Sequence, residues 1–198
     1  MSIVVLASGG LDSTLTAVMA KEEGIDIHPL FVNYGQLARE REFAACISSF
    51  KELNLPEVRE VNLSGMGELI RCGLTDPESH IKEQAFLPGR NLLFLLVGAS
   101  YAYQVGASGV AIGLLNEEMS IFPDQTRSFI EQAQNILSFT MDWPIEIITP
   151  LMDFNKEDVV ALAKEKGITN TYSCHAGTEE PCGVCIACQE YQFNLGEK

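Results

Sequence analysis

The segment Ser8–Ser13, which reads Ser-Gly-Gly-Leu-Asp-Ser, constrains the fold of this chain more than any other stretch. It follows an apolar run, Ile3–Ala7, and leads directly into a helical pattern with apolar residues at Leu15, Val18 and Met19. This order predicts a strand, a tight glycine turn and the start of a helix. Glycines let the backbone bend around a ligand, and the amides and positive dipole end of a helix N-terminus attract phosphate. The segment therefore predicts an anion-binding loop, and a turn that needs glycine only for its geometry is the alternative.

Beyond this loop, strand and helix patterns alternate along the chain without an evident linker or repeat. Further strands are predicted at 27–32, 58–61, 109–113 and 145–149, and helices at 12–23, 37–53, 90–104, 124–141 and 155–166. Residues 64–86 have weak periodicity and are predicted to form an irregular insertion over the site. Helix 90–104 is apolar nearly all round, which predicts burial on more than one side.

This alternation predicts an α/β fold with a mostly parallel, doubly wound sheet and helices on both faces. Ligands of such sheets bind beyond the carboxyl ends of the strands. The segments that follow the predicted strands are therefore the first places to look for a site. They should converge on one edge of the sheet.

Several candidate residues lie in these segments or at the start of a predicted helix. Asn33, Tyr34 and Gln36 offer an aromatic ring and amides, which suit the edge of a purine as well as a simple strand exit. Arg90 and Lys156 each lie near the start of a predicted helix, where a cation is electrostatically unfavourable. A ligand anion or a carboxylate partner explains both cations better, with a solvated side chain as the alternative for Lys156.

Four cysteines near the end of the chain form the pattern C-x7-C-x2-C-x2-C in a turn-rich segment, and they are Cys174, Cys182, Cys185 and Cys188. Four thiolates at this spacing can surround one tetrahedral ion, which favours structural zinc, with an iron–sulfur cluster as the alternative. The neighbouring His175 is a bystander or a substitute ligand. Disulfides are disfavoured, because the first residues do not resemble a signal peptide.

Charge and length exclude some classes of partner. The chain has 198 residues, with 13 basic and 27 acidic side chains and a formal net charge of −14. A field of this sign repels polyanions and argues against a whole tRNA as substrate. Because no apolar run approaches the ~20 residues that a membrane-spanning helix needs, we expect a cytoplasmic protein with no membrane contact. The length is enough for one domain with a substantial core, residues 1–198.

Five motifs together resemble the QueC-like family, and they occur in the same order as in that family. They are Ser8-Gly-Gly-Leu-Asp-Ser13, Tyr34-Gly-Gln36, Pro88-Gly-Arg-Asn91, Thr149-Pro-Leu-Met152 with Lys156, and the four cysteines. The glycine loop resembles the pyrophosphate loop of PP-loop ATPases and lacks the Gly-Lys-Ser/Thr of the Walker form. The resemblance implies a PP-loop (HUP-like) domain that includes a zinc-binding segment at 170–198.

The resemblance also implies a reaction. ATP would adenylate the carboxylate of 7-carboxy-7-deazaguanine, ammonia would form the amide, and a second ATP-dependent step would give 7-cyano-7-deazaguanine (preQ0). Such an enzyme is a carbon–nitrogen ligase that releases AMP and pyrophosphate. The active protein is expected to be a homodimer.

The residues expected to carry this chemistry follow from the resemblance and from their side chains. The residues expected to bind ATP are Ser8, Gly9, Gly10, Leu11, Asp12, Ser13, Asn33 and Tyr34, with Mg²⁺ near Asp12. Catalysis by positioning and charge stabilisation, without a nucleophile, is expected from Asp12, Ser13, Arg90 and Lys156. The residues expected to bind the deazaguanine are Gln36, Arg90, Asn91, Glu118, Phe122 and Asp124. Zn²⁺ is expected at the four cysteines.

Asp124 is the residue expected to read the guanine-like edge of the base. A carboxylate accepts two adjacent N–H donors in a bidentate pair. The alternative is that Asp124, which follows Pro123, caps the helix predicted at 124–141.

The stretch from Asn116 to Gln125 departs from the acidic and aromatic pattern that is typical of the family. Asn116 and Glu118 stand where Glu and Asp are usual, and Gln125 replaces a cysteine. Two other functions therefore stay open. One is a QueC-like ligase, of the kind associated with CBASS antiphage systems, that joins the activated deazaguanine to the N-terminal amine of a partner protein. The other is a non-catalytic nucleotide-binding zinc protein.

Overall fold

The computed structural model of the chain describes residues 1–195, with side chains described through residue 190. The end of the predicted zinc-binding segment, residues 196–198, lies outside the described residues. The strands are β1 (Ser2–Leu6), β2 (Asp26–Asn33), β3 (Arg59–Asn62), β4 (Gly109–Ala111) and β5 (Glu146–Ile148). The α-helices are α1 (Leu11–Glu22), α2 (Arg39–Glu52), α3 (Gly65–Leu69), α4 (Arg90–Val105), α5 (Arg127–Met141), α6 (Lys156–Glu165) and α7 (Ile186–Leu195).

All five strands pair in parallel in the order β3-β2-β1-β4-β5, which confirms the predicted α/β fold. β1 is central and alternates its side chains between two layers. Ile3 and Val5 join a core with α1, α2 and α6, whereas Val4 and Leu6 join a core with α4 and α5. Because both faces of the sheet are covered, β1 is apolar throughout its interior rather than alternating.

The strand order places a topological switch point between β1 and β4. The chain runs outward from β1 to β3 on one side and from β4 to β5 on the other. The loops that leave β1 and β4 therefore open at the same edge of the sheet, where such folds bind ligands. The two loops touch, because a Cβ at Gly113 would lie only 3.0–3.2 Å from backbone atoms of Asp12 and Ser13.

The structure differs from the sequence prediction at the start of α5 and at α7. The helix predicted at 124–141 begins at Arg127, and its N-cap is Thr126, whose hydroxyl accepts the amide of Phe129. Residues Pro123–Gln125 form a separate 3-10 turn, so Asp124 does not cap α5. α7 was not predicted, because the turn residues that surround the cysteines hide a short helix from sequence periodicity. By contrast, α6 has the predicted Asn155 cap, whose side chain accepts the amide of Asp158.

α4 is buried on one side only, and the prediction of wider burial is wrong for this chain. Leu95 and Ala99 pack fully against the sheet. Leu92, Leu96 and Tyr103 are 40%, 43% and 61% exposed, because no element among residues 1–195 covers the outer face of the helix. No helix in that range is long and apolar enough to cross a membrane.

We expect alanine to destabilise the protein much more at Gly9 than at Gly10. Gly9 has φ +79°, and a Cβ there would overlap the backbone carbonyl of Glu42 in α2. Gly10 has an ordinary φ of −81°, and a Cβ would meet nothing closer than 3.4 Å. Gly9→Ala should lower the free energy of unfolding by about 2–4 kcal/mol, through left-handed strain and the clash, and Gly10→Ala by less than ~1 kcal/mol. Urea titration of both variants measures this, and equal losses would contradict it.

Candidate active site

The loop Ser8–Ser13 is held in shape by its own serines. The Ser13 hydroxyl accepts the amide of Ser8 at 3.1 Å and donates to the carbonyl of Gly10 at 3.2 Å. The two serine hydroxyls lie 3.0 Å apart. Gly10 is the N-cap of α1 and supplies no side chain to its first turn, so the amides of that turn are left for an anion.

A buried ion pair lies beside this loop. The Lys156 ammonium is 2.9 Å from both carboxylate oxygens of Asp12, and its side chain is only 3% exposed. Glu190 of α7 lies 3.7 Å from the same ammonium. Burial raises the pKa of Glu190, and the charge of Lys156 opposes that shift. The Asp12 carboxylate thus binds the Lys156 ammonium and keeps it next to the Ser8–Ser13 loop.

The loop, the ion pair and the carboxyl ends of the strands surround one cavity of about 290 Å³. The predicted site residues that line it are Ser8, Gly10, Leu11, Asp12, Ser13, Tyr34, Gln36, Arg90, Asn91, Phe122 and Lys156. Gly9, Asn33, Glu118 and Asp124 are outside this lining. Gly9 packs against α2, and the Asn33 side chain accepts the amide of Gly35 at 3.1 Å. The parallel sheet predicts that residues as far apart in sequence as Ser8 and Lys156 meet at one cavity.

Asp124 and Glu118 are not among the residues that line this cavity. The Asp124 carboxylate accepts the backbone amide of Asn91 at 3.4 Å, and its carbonyl accepts the Asn91 side-chain amide at 2.8 Å. Asp124 thus contacts the first turn of α4, rather than either place that the sequence predicts. Glu118 is exposed on a 3-10 turn. Phe122 does line the cavity, where its ring stacks 5.1 Å from that of Phe86.

Gln36 is buried, and its amide is used within the protein. Its oxygen accepts the amide of Tyr34 at 2.9 Å, and its nitrogen donates to the carbonyl of Val32 at 3.3 Å and to the carboxylate of Glu42 at 3.0 Å. These contacts give Gln36 a positioning role, and because Gln36 also lines the cavity, its direct contact with substrate stays a prediction. The group that it positions, Glu42, lines the cavity and was not predicted. The sequence signal that could have identified Glu42 is its position one helical turn before Cys46, which is buried and so marks the inner face of the helix.

Arg90 carries the positive charge in the part of the cavity that Tyr34 and Glu42 line. Its guanidinium lies 5.8 Å from the Tyr34 ring centroid and 5.9 Å from that of Phe94. Burial raises the pKa of Glu42 to about 7, against the hydrogen bond from Gln36 and the charge of Arg90. Burial and the charge of Arg90 lower the pKa of His175 to about 4, so this imidazole is neutral at pH 7.

The four predicted cysteine ligands come together in one cluster. Their sulfur atoms all lie within 4.8 Å of one another, and each of the chain's six cysteines is free of disulfides. Backbone amides of Cys182, Cys185 and Cys188 donate to sulfurs of the set at 3.3–3.4 Å, which favours thiolates. Burial raises the pKa values of Cys185 and Cys188, whereas for Cys174 amide donors outweigh burial and lower the pKa to about 6. His175 is outside the cluster.

This donor set fits a closed four-sulfur metal site. Cys174, Cys182, Cys185 and Cys188 would hold the ion, and a bound metal would supply folding energy rather than chemistry. Cys188 lies on α7 two residues before Glu190. The cluster therefore anchors the helix that delivers Glu190 to Lys156.

Sequence comparison finds relatives over nearly the whole chain. Residues 2–195 match the family model described as "Queuosine biosynthesis protein QueC". A 7-cyano-7-deazaguanine synthase of Sulfurovum sp. is 36% identical, over 94% of this chain and 89% of that protein. Proteins of the same name from Nitratiruptor sp. and Oceanobacillus iheyensis are 34% and 35% identical, over 96% and 94% of this chain and 91% and 89% of theirs.

Two solved structures are similar in fold. One is a predicted subunit of a tRNA methyltransferase from Methanocaldococcus jannaschii, with TM-score 0.52, 23% identity, and coverage of 83% of this chain and 75% of that one. The other is a 4-thiouridine synthetase in a complex with RNA and bound ATP, with TM-score 0.53, 20% identity, and coverage of 93% of this chain and 47% of that one. At these identities the likeness shows the fold alone.

Removing one cluster sulfur should remove the metal. We expect about one zinc ion per chain in the purified protein and little in Cys185→Ala, because three thiolates bind zinc more weakly than four. The variant should also unfold at lower temperature. Elemental analysis and thermal unfolding measure both effects. Cys72→Ala, which removes a buried cysteine outside the cluster, is the matched control. Unchanged metal content in Cys185→Ala would contradict the ligand assignment.

Glu42 should make folding stability depend on pH. Its carboxyl loses a proton near pH 4.5 in the unfolded chain and near pH 7 in the folded protein. The stability that Glu42 gives through its raised pKa is complete below pH 4.5 and lost as the pH rises through 7. Glu42→Gln, which keeps an acceptor for Gln36, should be about 1–3 kcal/mol more stable than wild type at pH 8, with almost no gap at pH 4.5.

Chemical denaturation of both proteins at the two pH values measures this gap. Glu40→Gln removes an exposed carboxylate from the same helix and should show no such pH-dependent gap. A gap for Glu42→Gln that is equal at both pH values would contradict the raised pKa.

Proposed function

This chain belongs to the QueC family, and we propose that it uses ATP to convert 7-carboxy-7-deazaguanine and ammonia into 7-cyano-7-deazaguanine. The observation that carries the proposal is the meeting of the Ser8–Ser13 loop, the Asp12–Lys156 pair and Arg90 around one cavity. The names of the curated relatives agree with it.

The proposed chemistry needs charge stabilisation more than a nucleophile. A carboxylate is a poor electrophile, so its oxygen attacks the α-phosphorus of ATP, the α–β bond breaks and pyrophosphate leaves. Ammonia then attacks the acyl carbon and AMP leaves, which gives the amide. A second ATP activates the amide oxygen in the same way. Loss of that oxygen with AMP, and of two protons, leaves the nitrile.

Each part of the cavity has a role in this scheme. The amides at the start of α1 bind the departing pyrophosphate, and Ser13 keeps the loop in the required shape. Lys156 meets phosphate charge, and Asp12 orients it. Arg90 meets the negative charge of the substrate or of ATP. Mg²⁺ would supply further neutralisation of the phosphates, next to Asp12.

The stretch that departs from the family pattern borders the same cavity. Asn116, Phe122 and Gln125 line it, and Gln125 accepts the amides of Ile121 and Phe122 at 2.8 Å. A changed wall beside the reacting carboxylate favours a second candidate acceptor, the N-terminal amine of a partner protein. Adenylation of the carboxylate is common to both candidates.

We expect one PP-loop unit that includes the metal segment, in a cytoplasmic homodimer. The exposed Leu96 and Tyr103 of α4 are consistent with a subunit interface. The net charge of −14 favours a small-molecule substrate over a whole tRNA.

Incubation with ATP, Mg²⁺, 7-carboxy-7-deazaguanine and ammonium should yield the nitrile, with two AMP and two pyrophosphate released per product. Mass spectrometry and phosphate assays measure this. Lys156→Met should lower the rate at least ~100-fold, since a buried cation beside transferring phosphate is lost. Lys166→Met, which removes a lysine paired with Glu22 at the surface, is the control.

The products separate the candidate functions. Accumulated amide, or a mass increase on a supplied partner protein, would favour the protein-directed ligase. ADP and orthophosphate as primary products would contradict adenylation. Nucleotide binding without any turnover would favour the non-catalytic zinc protein.

A further inference from the structure

One end of the cavity, which we call the arginine end, is built from Tyr34, Glu42, Arg90 and His175. The Arg90 guanidinium lies 5.8 Å from the Tyr34 ring centroid, and Gln36 joins the backbone amide of Tyr34 to the Glu42 carboxylate. The charge of Arg90 also favours lower pKa values for Glu42 and His175. Apolar side chains complete the walls there, including Leu74, Ala85 and Phe94. A mostly apolar recess with a few polar groups is typical of a small-molecule binding site.

Glu42 is held firmly at this end. Its carboxylate accepts from Gln36 at 3.0 Å, and Gln36 is itself fixed by the backbone of Tyr34 and Val32. The backbone of Glu42 packs against Gly9, which ties this turn of α2 to the phosphate loop. The carboxylate therefore has a defined position relative to the site of adenylation.

The polar groups here have unused hydrogen-bonding capacity. Gln36 takes one of the lone pairs of Glu42 and is its hydrogen-bond partner among the described side chains. His175 Nδ1 is fully buried and has no hydrogen-bond partner among the residues that the structure describes. Partly buried polar groups in an apolar recess lose free energy unless a ligand pairs with them.

We propose that Glu42, positioned by Gln36, is the residue that reads the aminopyrimidinone edge of the heterocyclic substrate, accepting its two adjacent N–H donors. This inference rests on the proposed function and names its specificity residue. It transfers to Glu42 the task that the sequence suggested for Asp124, whose carboxylate contacts α4 instead.

The hydrogen-bonding edge of the base distinguishes 7-carboxy-7-deazaguanine from the adenine of ATP, the two bases that the proposed reaction brings to the cavity. A guanine-like edge offers a ring N–H and an exocyclic amino group side by side, which match the two oxygens of a carboxylate. The corresponding edge of adenine offers one donor next to a ring nitrogen acceptor, and that acceptor would face a carboxylate oxygen. The arginine end therefore selects the deazaguanine and leaves the adenine of ATP to the rest of the cavity.

Binding of two ligands to the full chain tests this assignment without turnover. Calorimetry at pH 8, where the Glu42 carboxyl is mostly ionised, compares 7-carboxy-7-deazaguanine with its analogue that lacks the 2-amino group, in the absence of ATP. Wild type should bind the first about 10- to 100-fold more tightly, the range expected for one hydrogen bond to a charged group. In Glu42→Gln, which keeps the bond to Gln36, that preference should fall to roughly threefold or less.

Two controls accompany the comparison. Glu40→Gln, an exposed carboxylate on the same helix, should keep the full preference. The affinity of Glu42→Gln for ATP with Mg²⁺ should stay within about twofold of wild type. An unchanged preference in Glu42→Gln would overturn the assignment, and so would a loss confined to ATP, which would place adenine at this end.

The outcomes also separate this assignment from the proposed reaction. If wild type forms the nitrile and Glu42→Gln keeps the amino-group preference, the reaction stands and the recognition role fails. If wild type shows the Glu42-dependent preference but forms no product, the recognition role stands and the reaction fails. Absence of deazaguanine binding by wild type would overturn both.

Discussion

The ion pair between Lys156 and Asp12 is the interaction on which the rest of the site depends. It joins residues 144 positions apart, at the start of α6 and in the first turn of α1. A lysine that is 3% exposed needs a carboxylate partner to stay charged, and Asp12 supplies both oxygens. The pair fixes a cation at the switch point of the sheet, where the Ser8–Ser13 loop, which we call the phosphate loop, leaves β1. Removing the Asp12 carboxylate would take away the nearest counter-charge of this buried lysine.

The cysteine cluster reaches this ion pair through α7. Cys188 and Glu190 lie on the same helix, and Glu190 approaches Lys156 at 3.7 Å. A metal held by four sulfurs would order a segment that contributes little to the two main apolar cores. The cysteine segment is therefore part of the cavity wall, since it supplies Glu190 and His175 to the lining.

A second set of contacts connects the phosphate loop to the arginine end of the cavity. Gly9 must be glycine because its left-handed backbone lies against the carbonyl of Glu42. The same close approach brings α2 over the loop and turns the Glu42 side chain into the cavity. The loop motif thus constrains more than the phosphate site. It also sets where the Glu42 carboxylate lies in the cavity, and with it the contact to the base that we propose.

The alternation of strands and helices, the glycine loop and the cysteine set can be predicted from the amino-acid sequence, because they depend on local periodicity, glycine turns and close spacing. The polar side chains that enter the cavity cannot be predicted in this way, because long-range packing selects them. The Asp124 carboxylate accepts a backbone amide of α4 and is not part of the lining, whereas Gln36 lines the cavity but donates its amide to Glu42. Glu42 looks like a surface charge on α2 until the packing of that helix against Gly9 turns it inward. Hydrogen-bond competition and burial depend on long-range contacts, which no local pattern encodes.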